Sequence, residues 1–149
     1  MDYLLDTNII IAYSRDDELT ERLEANYQVL NGDHRLFVSI VTIGEIKSYI
    51  RKFKLGTRRR NIIYDTLLLT RTIDINHEEV LDMYADIDAF SQTKLKLPDH
   101  NFTARNMGKN DLWIAATAAH FGLTLLTTDR DFDHLDEAYL SLAYVDRSQ

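Results

Sequence analysis

Cysteine is absent from this chain of 149 residues. That absence excludes a disulfide framework, a thiol nucleophile and any cysteine-ligated zinc site, and it leaves the redox compartment open. Proline occurs once, as Pro98, and glycine five times, so little interrupts the backbone and helices should dominate, with short connections. Long apolar runs are missing too: none approaches the ~20 residues a membrane-spanning helix requires. Met1-Asp2-Tyr3 puts an acid where a secretory signal would carry positive charge, an arrangement that predicts a soluble, cytoplasmic protein without a membrane partner. Repeats, low-complexity stretches and domain boundaries are not evident, so one domain over residues 1–149 is expected. That length buries a sizeable core unaided.

Positive charge is the minority: 17 Lys and Arg against 24 Asp and Glu give a net charge of −7. With 45% hydrophobic and 28% charged residues, the composition is that of a globular protein rather than a disordered one. An acidic total disfavours nucleic-acid binding over the whole surface, because phosphates are drawn by positive potential. The charge is unevenly spread, however. Lys47, Arg51, Lys52, Lys54, Arg58, Arg59 and Arg60 hold seven of the 17 basic residues, with no acid between Ile46 and Tyr64. Such a run is commonly just a solvated helix face; here it is also a candidate contact for RNA phosphates or for an acidic partner.

Short apolar runs mark the strands. Tyr3-Leu4-Leu5 leads into the polar turn Asp6-Thr7-Asn8, and Leu36-Phe37-Val38 leads into Ser39, a plausible helix start. Leu123 to Leu126 runs into Thr127-Thr128-Asp129, and Leu142 to Val145 is a last candidate. Between them Ile43, Ile46, Ile50 and Phe53 form the stripe of an amphipathic helix ending near Gly56. Ile62, Ile63, Leu67 and Leu68 mark another helix, and Asn76 with Glu79 resembles a capping box ahead of Val80, Tyr84, Ile87 and Ser91. Lys94 to Asn106 is the least regular stretch, and Leu112 to His120 is an alanine-rich helix stopped by Gly122. Strands alternating with helices predict an α/β fold, a central parallel sheet covered on both faces. In such folds chemistry gathers beyond the carboxyl ends of the strands.

Asp6 and Asp129 each directly follow an apolar strand. Either alone is an ordinary turn former or cap; together, at one edge of one sheet, they point into a common crevice. Glu45 lies on the helix after the second strand, off its apolar stripe, and Asp111 opens the alanine-rich helix, where a carboxylate also complements the helix dipole. Two like charges ~4 Å apart repel by about 4 kcal/mol at an effective dielectric near 20. A cleft gathering all these acids must therefore protonate some of them or bind cations. Hard oxygen donors select Mg²⁺ or Mn²⁺ over zinc. His34, His77, His100, His120 and His134 show no ligand spacing and read as surface or packing residues. Trp113 reads as core rather than as a platform for stacking a base. An all-carboxylate site of this type suits phosphodiester hydrolysis without a general-base histidine.

Leu4-Leu5-Asp6-Thr7-Asn8, Thr42-Ile43-Gly44-Glu45-Ile46, Asn110 to Ala116 and Thr127-Thr128-Asp129-Arg130-Asp131-Phe132 resemble, in order and spread, the four signature blocks of PIN-domain nucleases. Within that family the chain is most similar to VapC-type toxins of bacterial toxin–antitoxin pairs. The resemblance implies a PIN-like three-layer fold with a sheet of four to five parallel strands, and a metal-dependent endoribonuclease. Asp6, Glu45, Asp111 and Asp129 match the catalytic, metal-binding acids. Asn8, Thr127 and Asp131 match positions that support the site by hydrogen bonding or as an additional carboxylate, and either Asp129 or Asp131 matches the direct ligand of the last block. It further implies a structured RNA substrate (transfer or ribosomal RNA), homodimerisation, and inhibition by a VapB-type antitoxin across the active-site groove in a larger hetero-oligomer.

Other readings are a housekeeping RNA-processing PIN nuclease and a degenerate PIN scaffold that only binds protein or RNA. A phosphatase of the haloacid dehalogenase type is excluded, because the acid it needs two residues after Asp6 is replaced by Asn8. A P-loop ATPase is excluded for want of a glycine-rich Gly-Lys-Ser/Thr turn.

Overall fold

A computed structural model gives the structure of residues 1–147. Its strands are β1 (Asp2–Leu5), β2 (Arg35–Ser39), β3 (Arg71–Ile73), β4 (Thr124–Thr127) and β5 (Ser141–Tyr144). They form a single sheet in the order β3-β2-β1-β4-β5, with every pairing parallel. The two-residue period of a strand decides what each face buries. Leu4 stands opposite Phe37 and Leu125, and Leu125 opposite Leu142; this row joins the core beneath one face. Its neighbours Tyr3, Leu5, Leu36 and Leu126 join the core beneath the other. Both faces are covered, which is why these strands are continuous apolar runs in the sequence.

The first face carries α1 (Thr7–Arg15), α2 (Glu18–Tyr27), α3 (Ile40–Lys52) and α4 (Thr57–Leu68), through Ile9, Ile10, Leu19, Leu23, Ile46 and Ile63. The second carries α5 (Glu78–Ser91), α6 (Lys109–Phe121) and a 3-10 helix (Arg130–Leu135), through Val80, Ile87, Phe90, Ile114, Ala115, Phe132 and Leu135. The result is the expected three-layer α/β architecture with five parallel strands. Gly122 ends α6 in the left-handed region at φ 64°, a conformation glycine adopts without the Cβ penalty.

Four details depart from the sequence reading. Asp6-Thr7-Asn8 is not a free turn: Asp6 caps α1 by accepting from the Thr7 N–H, and the helix begins at Thr7. The capping box does not form, because α5 begins at Glu78 with His77 at the cap and no side-chain cap bond. Phe53 lies beyond the last turn of α3 and is 67% exposed, and Leu68 at the end of α4 is 82% exposed, so neither contributes to its expected apolar face. The edge strand β3, with its first two residues exposed, has no apolar run to announce it.

Candidate active site

The sheet order turns around between β1 and β4, since β2 and β3 lie on one side of β1 and β4 and β5 on the other. The loops leaving β1 and β4 therefore diverge, opening a crevice at the carboxyl ends of the strands. Asp6 ends β1 there. Its backbone N–H still donates to the Leu126 carbonyl at 3.0 Å, which ties the turn to β4. The side chain is 3% exposed. Its Oδ1 accepts from the Thr7 N–H at 2.8 Å and its Oδ2 from the Thr127 hydroxyl at 2.7 Å. Burial pushes the Asp6 carboxyl up to about 6; the bonds from Thr127 and Thr7 pull it down, and the nearby Glu45 and Asp129 charges push it up again.

Ser39 caps α3 by accepting from the Val41 N–H at 3.1 Å and so aims the helix from the end of β2 into the crevice. Half-buried Glu45 emerges one turn in. The Thr7 hydroxyl donates to Glu45 Oε1 at 2.7 Å and lies 3.0 Å from the Thr42 hydroxyl, its other hydrogen-bonding neighbour. Asp111 stands in the first turn of α6. Burial first, then the charges of Asp6, Asp129, Glu45 and Asp131, push its carboxyl up to about 7. Asp129 follows β4: its N–H donates to the Thr127 hydroxyl at 3.0 Å, and its Oδ1 accepts from the Asp131 N–H at 2.9 Å, capping the 3-10 helix.

Asp6, Glu45 and Asp111 line one cleft of about 590 Å³ together with Thr7, Asn8, Ser48, Tyr49, Lys52, Phe53 and Asn110. At its β4 side Asp111, Asp129 and Asp131 each offer a carboxylate oxygen, and these oxygens lie within 4.8 Å of one another. Both acids of the last block thus reach the cluster. Among the described residues no Lys or Arg forms a salt bridge with any of the five acids. A crowd of carboxylates, two of them (Asp6 and Asp111) with raised proton affinity and none ion-paired among the described residues, is a donor set that a hard divalent cation fits.

Asn8 stands in the cleft wall, and Thr127 couples Asp6 to Asp129. Sequence reasoning missed Thr7, whose hydroxyl reaches Glu45 only through the fold, and Thr42, whose hydroxyl meets that of Thr7; the Thr7 signal was present in the block holding Asp6. Of the basic run, Lys47, Arg51, Lys52, Lys54, Arg58 and Arg60 are exposed, while Arg59 is half-buried. Trp113 packs against the core, its ring 4.2 Å from that of Tyr84. His134 is a packing residue: its Nε2 lies 2.7 Å from the Ser91 hydroxyl, and its ring stacks on Phe90.

Fold and site together define a parallel α/β domain whose cleft carries a carboxylate cluster suited to a divalent cation. The chain belongs to the PIN-domain family, whose model matches residues 3–138. Its structure is similar to that of VapBC2 from Rickettsia felis bound to a DNA fragment from their promoter, at 21% identity and a TM-score of 0.71, over 98% of this chain and 100% of that one. It is similar too to VapBC-1 from nontypeable Haemophilus influenzae, at 22% identity and a TM-score of 0.68, over 97% and 98% of the two chains. A third likeness is to FitAcB from Neisseria gonorrhoeae, at 24% identity and a TM-score of 0.67, over 94% and 95%. No curated protein sequence matches the chain significantly. Among the described residues no helix is long and apolar enough to cross a membrane.

Proposed function

We propose that this chain is a metal-dependent endoribonuclease, a VapC-like toxin that cleaves structured RNA such as transfer or ribosomal RNA. The observation that carries the reading is that Asp6, Glu45 and Asp111 line one cleft and Asp111 groups with Asp129 and Asp131, with the Asp6 and Asp111 carboxyls raised and, among the described residues, no salt bridge from a basic side chain to any of them. Asp6, Glu45, Asp111 and Asp129 are the catalytic, metal-holding acids, with Asp131 beside them. Bound there, Mg²⁺ or Mn²⁺ supplies Lewis-acid charge for the phosphoryl oxygens and lowers the pKa of an attacking water.

The chain's own residues prepare that chemistry. Thr7 and Thr127 fix the carboxylates of Asp6 and Glu45 before any ligand arrives, so little reorganisation remains. Asp111, pushed up to about 7, holds a proton more readily than an ordinary aspartate without metal and must release it to act as a ligand. The exposed basic residues Lys47, Arg51, Lys52, Lys54, Arg58 and Arg60 supply positive potential for RNA phosphates. The acids themselves would repel RNA.

The toxin role draws support from similar structures: a member of the VapBC family of toxin–antitoxin systems from Mycobacterium tuberculosis and a toxin–antitoxin complex from Klebsiella pneumoniae. On this reading the chain works as one PIN domain over residues 1–149, forms a homodimer, and is inhibited in the cytoplasm by a VapB-type antitoxin within a larger hetero-oligomer. Sequencing RNA ends after brief expression tests the activity and finds the target together. Hydrolysis by water leaves a 5′-phosphate and a 3′-hydroxyl, whereas attack by the RNA's own 2′-hydroxyl leaves a cyclic phosphate. Cleavage that persists in chelator, or full activity in Asp6→Asn and Asp111→Asn, contradicts the proposal.

A further inference from the structure

Phe53 and Tyr49 form an aromatic pair in the wall of the acid cleft, and nothing in the hydrolytic chemistry uses them. Phe53 is 67% exposed. Its ring centroid lies 4.8 Å from that of Tyr49, with the planes tilted by 46°. Tyr49 is braced from behind: its hydroxyl accepts from Arg59 Nη2 at 3.1 Å and from Arg15 Nη2 at 3.4 Å, and the Arg59 guanidinium lies 5.7 Å from its ring centroid. The outer ring is thus left in water against an anchored inner one. Lys52 and the amides of Asn8 and Asn110 line the same cleft. Trp113, two residues from Asp111 in sequence, is packed against Tyr84 and the core.

We propose that Phe53, backed by Tyr49, is the platform on which one unpaired nucleobase of the RNA stacks, setting the adjoining phosphate against the acid cluster. The assignment rests on the nuclease reading and adds to it how the nucleotide is held. Every base presents a flat π-face, so stacking anchors a nucleotide without demanding one identity. The asparagine amides each carry a donor and an acceptor that can meet a base edge, and Lys52 offers its ammonium to a phosphate. A base within a duplex is already stacked on both sides, so this platform selects loops and single strands. A nucleobase is favoured over a protein side chain as occupant because the rings share their cleft with the reactive acids and a lysine.

Phe53→Ala and Phe53→Trp test the proposal in the full chain, both at an exposed position that leaves the core intact. Binding is measured in chelator with a labelled single-stranded oligoribonucleotide spanning the site that wild-type protein cuts. Phe53→Ala should weaken it about tenfold and raise KM more than it lowers kcat, while Phe53→Trp keeps wild-type affinity. Calorimetry should give both variants the wild-type Mn²⁺ affinity. An abasic nucleotide at one position should cost the wild type the same factor and cost Phe53→Ala nothing, which identifies the stacked base. Unchanged affinity and cleavage in Phe53→Ala overturns the platform and leaves the nuclease standing. Loss of protein-partner binding with RNA affinity retained overturns it too and assigns the ring to protein docking. Wild-type protein that cuts no RNA with Mg²⁺ or Mn²⁺ removes the nuclease reading, and the platform with it.

Discussion

Asp111 has its carboxyl pushed up to about 7 by burial and by Asp6, Asp129, Glu45 and Asp131. Between the ordinary value of 3.8 and about 7 the folded chain therefore binds more protons than the unfolded one, and stability from this group is lost as pH rises through that window. Asp6 acts the same way between 3.8 and about 6. His134 acts oppositely: burial, with Arg105 nearby, pushes its imidazole from 6.5 down to about 4, so its contribution is lost as pH falls through that range. Two carboxyls outweigh one imidazole, and metal-free protein should become less stable from pH 4 towards pH 7. Removing the Asp111 charge should raise the metal-free melting temperature at pH 7 by about 2–4 °C, corresponding to ~1 kcal/mol once the screening of a partly exposed group is allowed for. It should also flatten the pH dependence. Melting and urea titrations of wild type and Asp111→Asn in chelator from pH 4 to 8 measure both; a less stable Asp111→Asn at pH 7 contradicts the repulsion argument.

Among the helices, α1, α3 and α4 are joined through Arg59. Its Nη2 donates to the Ser14 hydroxyl at 2.9 Å and to Tyr49 at 3.1 Å, while Ser14, fully buried, itself donates to the Ile11 carbonyl at 2.6 Å. Neighbouring Arg58 reaches only Asp16, at 3.7 Å and largely in solvent. Chemical denaturation should therefore show Arg59→Ala destabilised by about 1–2 kcal/mol and Arg58→Ala changed by less than about 0.5 kcal/mol. Equal losses would mean that the tether carries no stability. These two arginines are indistinguishable in the sequence, because only the packing of α4 on α1 turns one inward. The same limit separates what was legible from what was not. Strands buried on both faces betray themselves as apolar runs, and α3 by its stripe and the Ser39 cap. Helix α1 is buried from Ile9 to Ser14, so it has no polar face to set its period; α2 buries only Leu19 and Leu23 fully, with Tyr27 half-buried against the core. Asp6, Asp111 and Asp129 were legible as candidates because they sit where apolar runs stop or a helix opens, and Glu45 because it stands off the apolar stripe of α3. The Thr7 hydroxyl between Glu45 and Thr42, and the exposure of Phe53, depend on contacts between segments far apart in the chain.

Over the whole molecule the charge is gathered in runs rather than evenly mixed. From Thr72 to Thr93 the chain carries Asp74, Glu78, Glu79, Asp82, Asp86 and Asp88 and no Lys or Arg, and these acids ride on or beside α5 against the second face of the sheet. The basic run lies on α3 and α4 against the first. A net charge of −7 thus conceals a local basic patch on α3 and α4, beside the acids Glu18, Glu21 and Glu24 of α2 on the same face; on the proposed reading that patch meets RNA phosphates, while the acids of α5 repel them. Reversing Lys47, Arg51 and Arg60 to Glu should weaken RNA binding and, if each meets one phosphate, reduce the slope of log K against log salt by about 2, at ~0.7 per contact with single-stranded RNA. Mn²⁺ affinity should change little, since none of the three lines the acid cleft. Neutralising α5 with Glu78→Gln, Asp82→Asn and Asp86→Asn should leave the salt slope where it was, because those residues meet no phosphate, while raising the association rate at low salt as the repulsive side fades. Stopped-flow binding over a series of salt concentrations in chelator separates the two effects. A slope unchanged by the Glu substitutions would assign the basic helices to docking a partner protein and move the RNA path elsewhere.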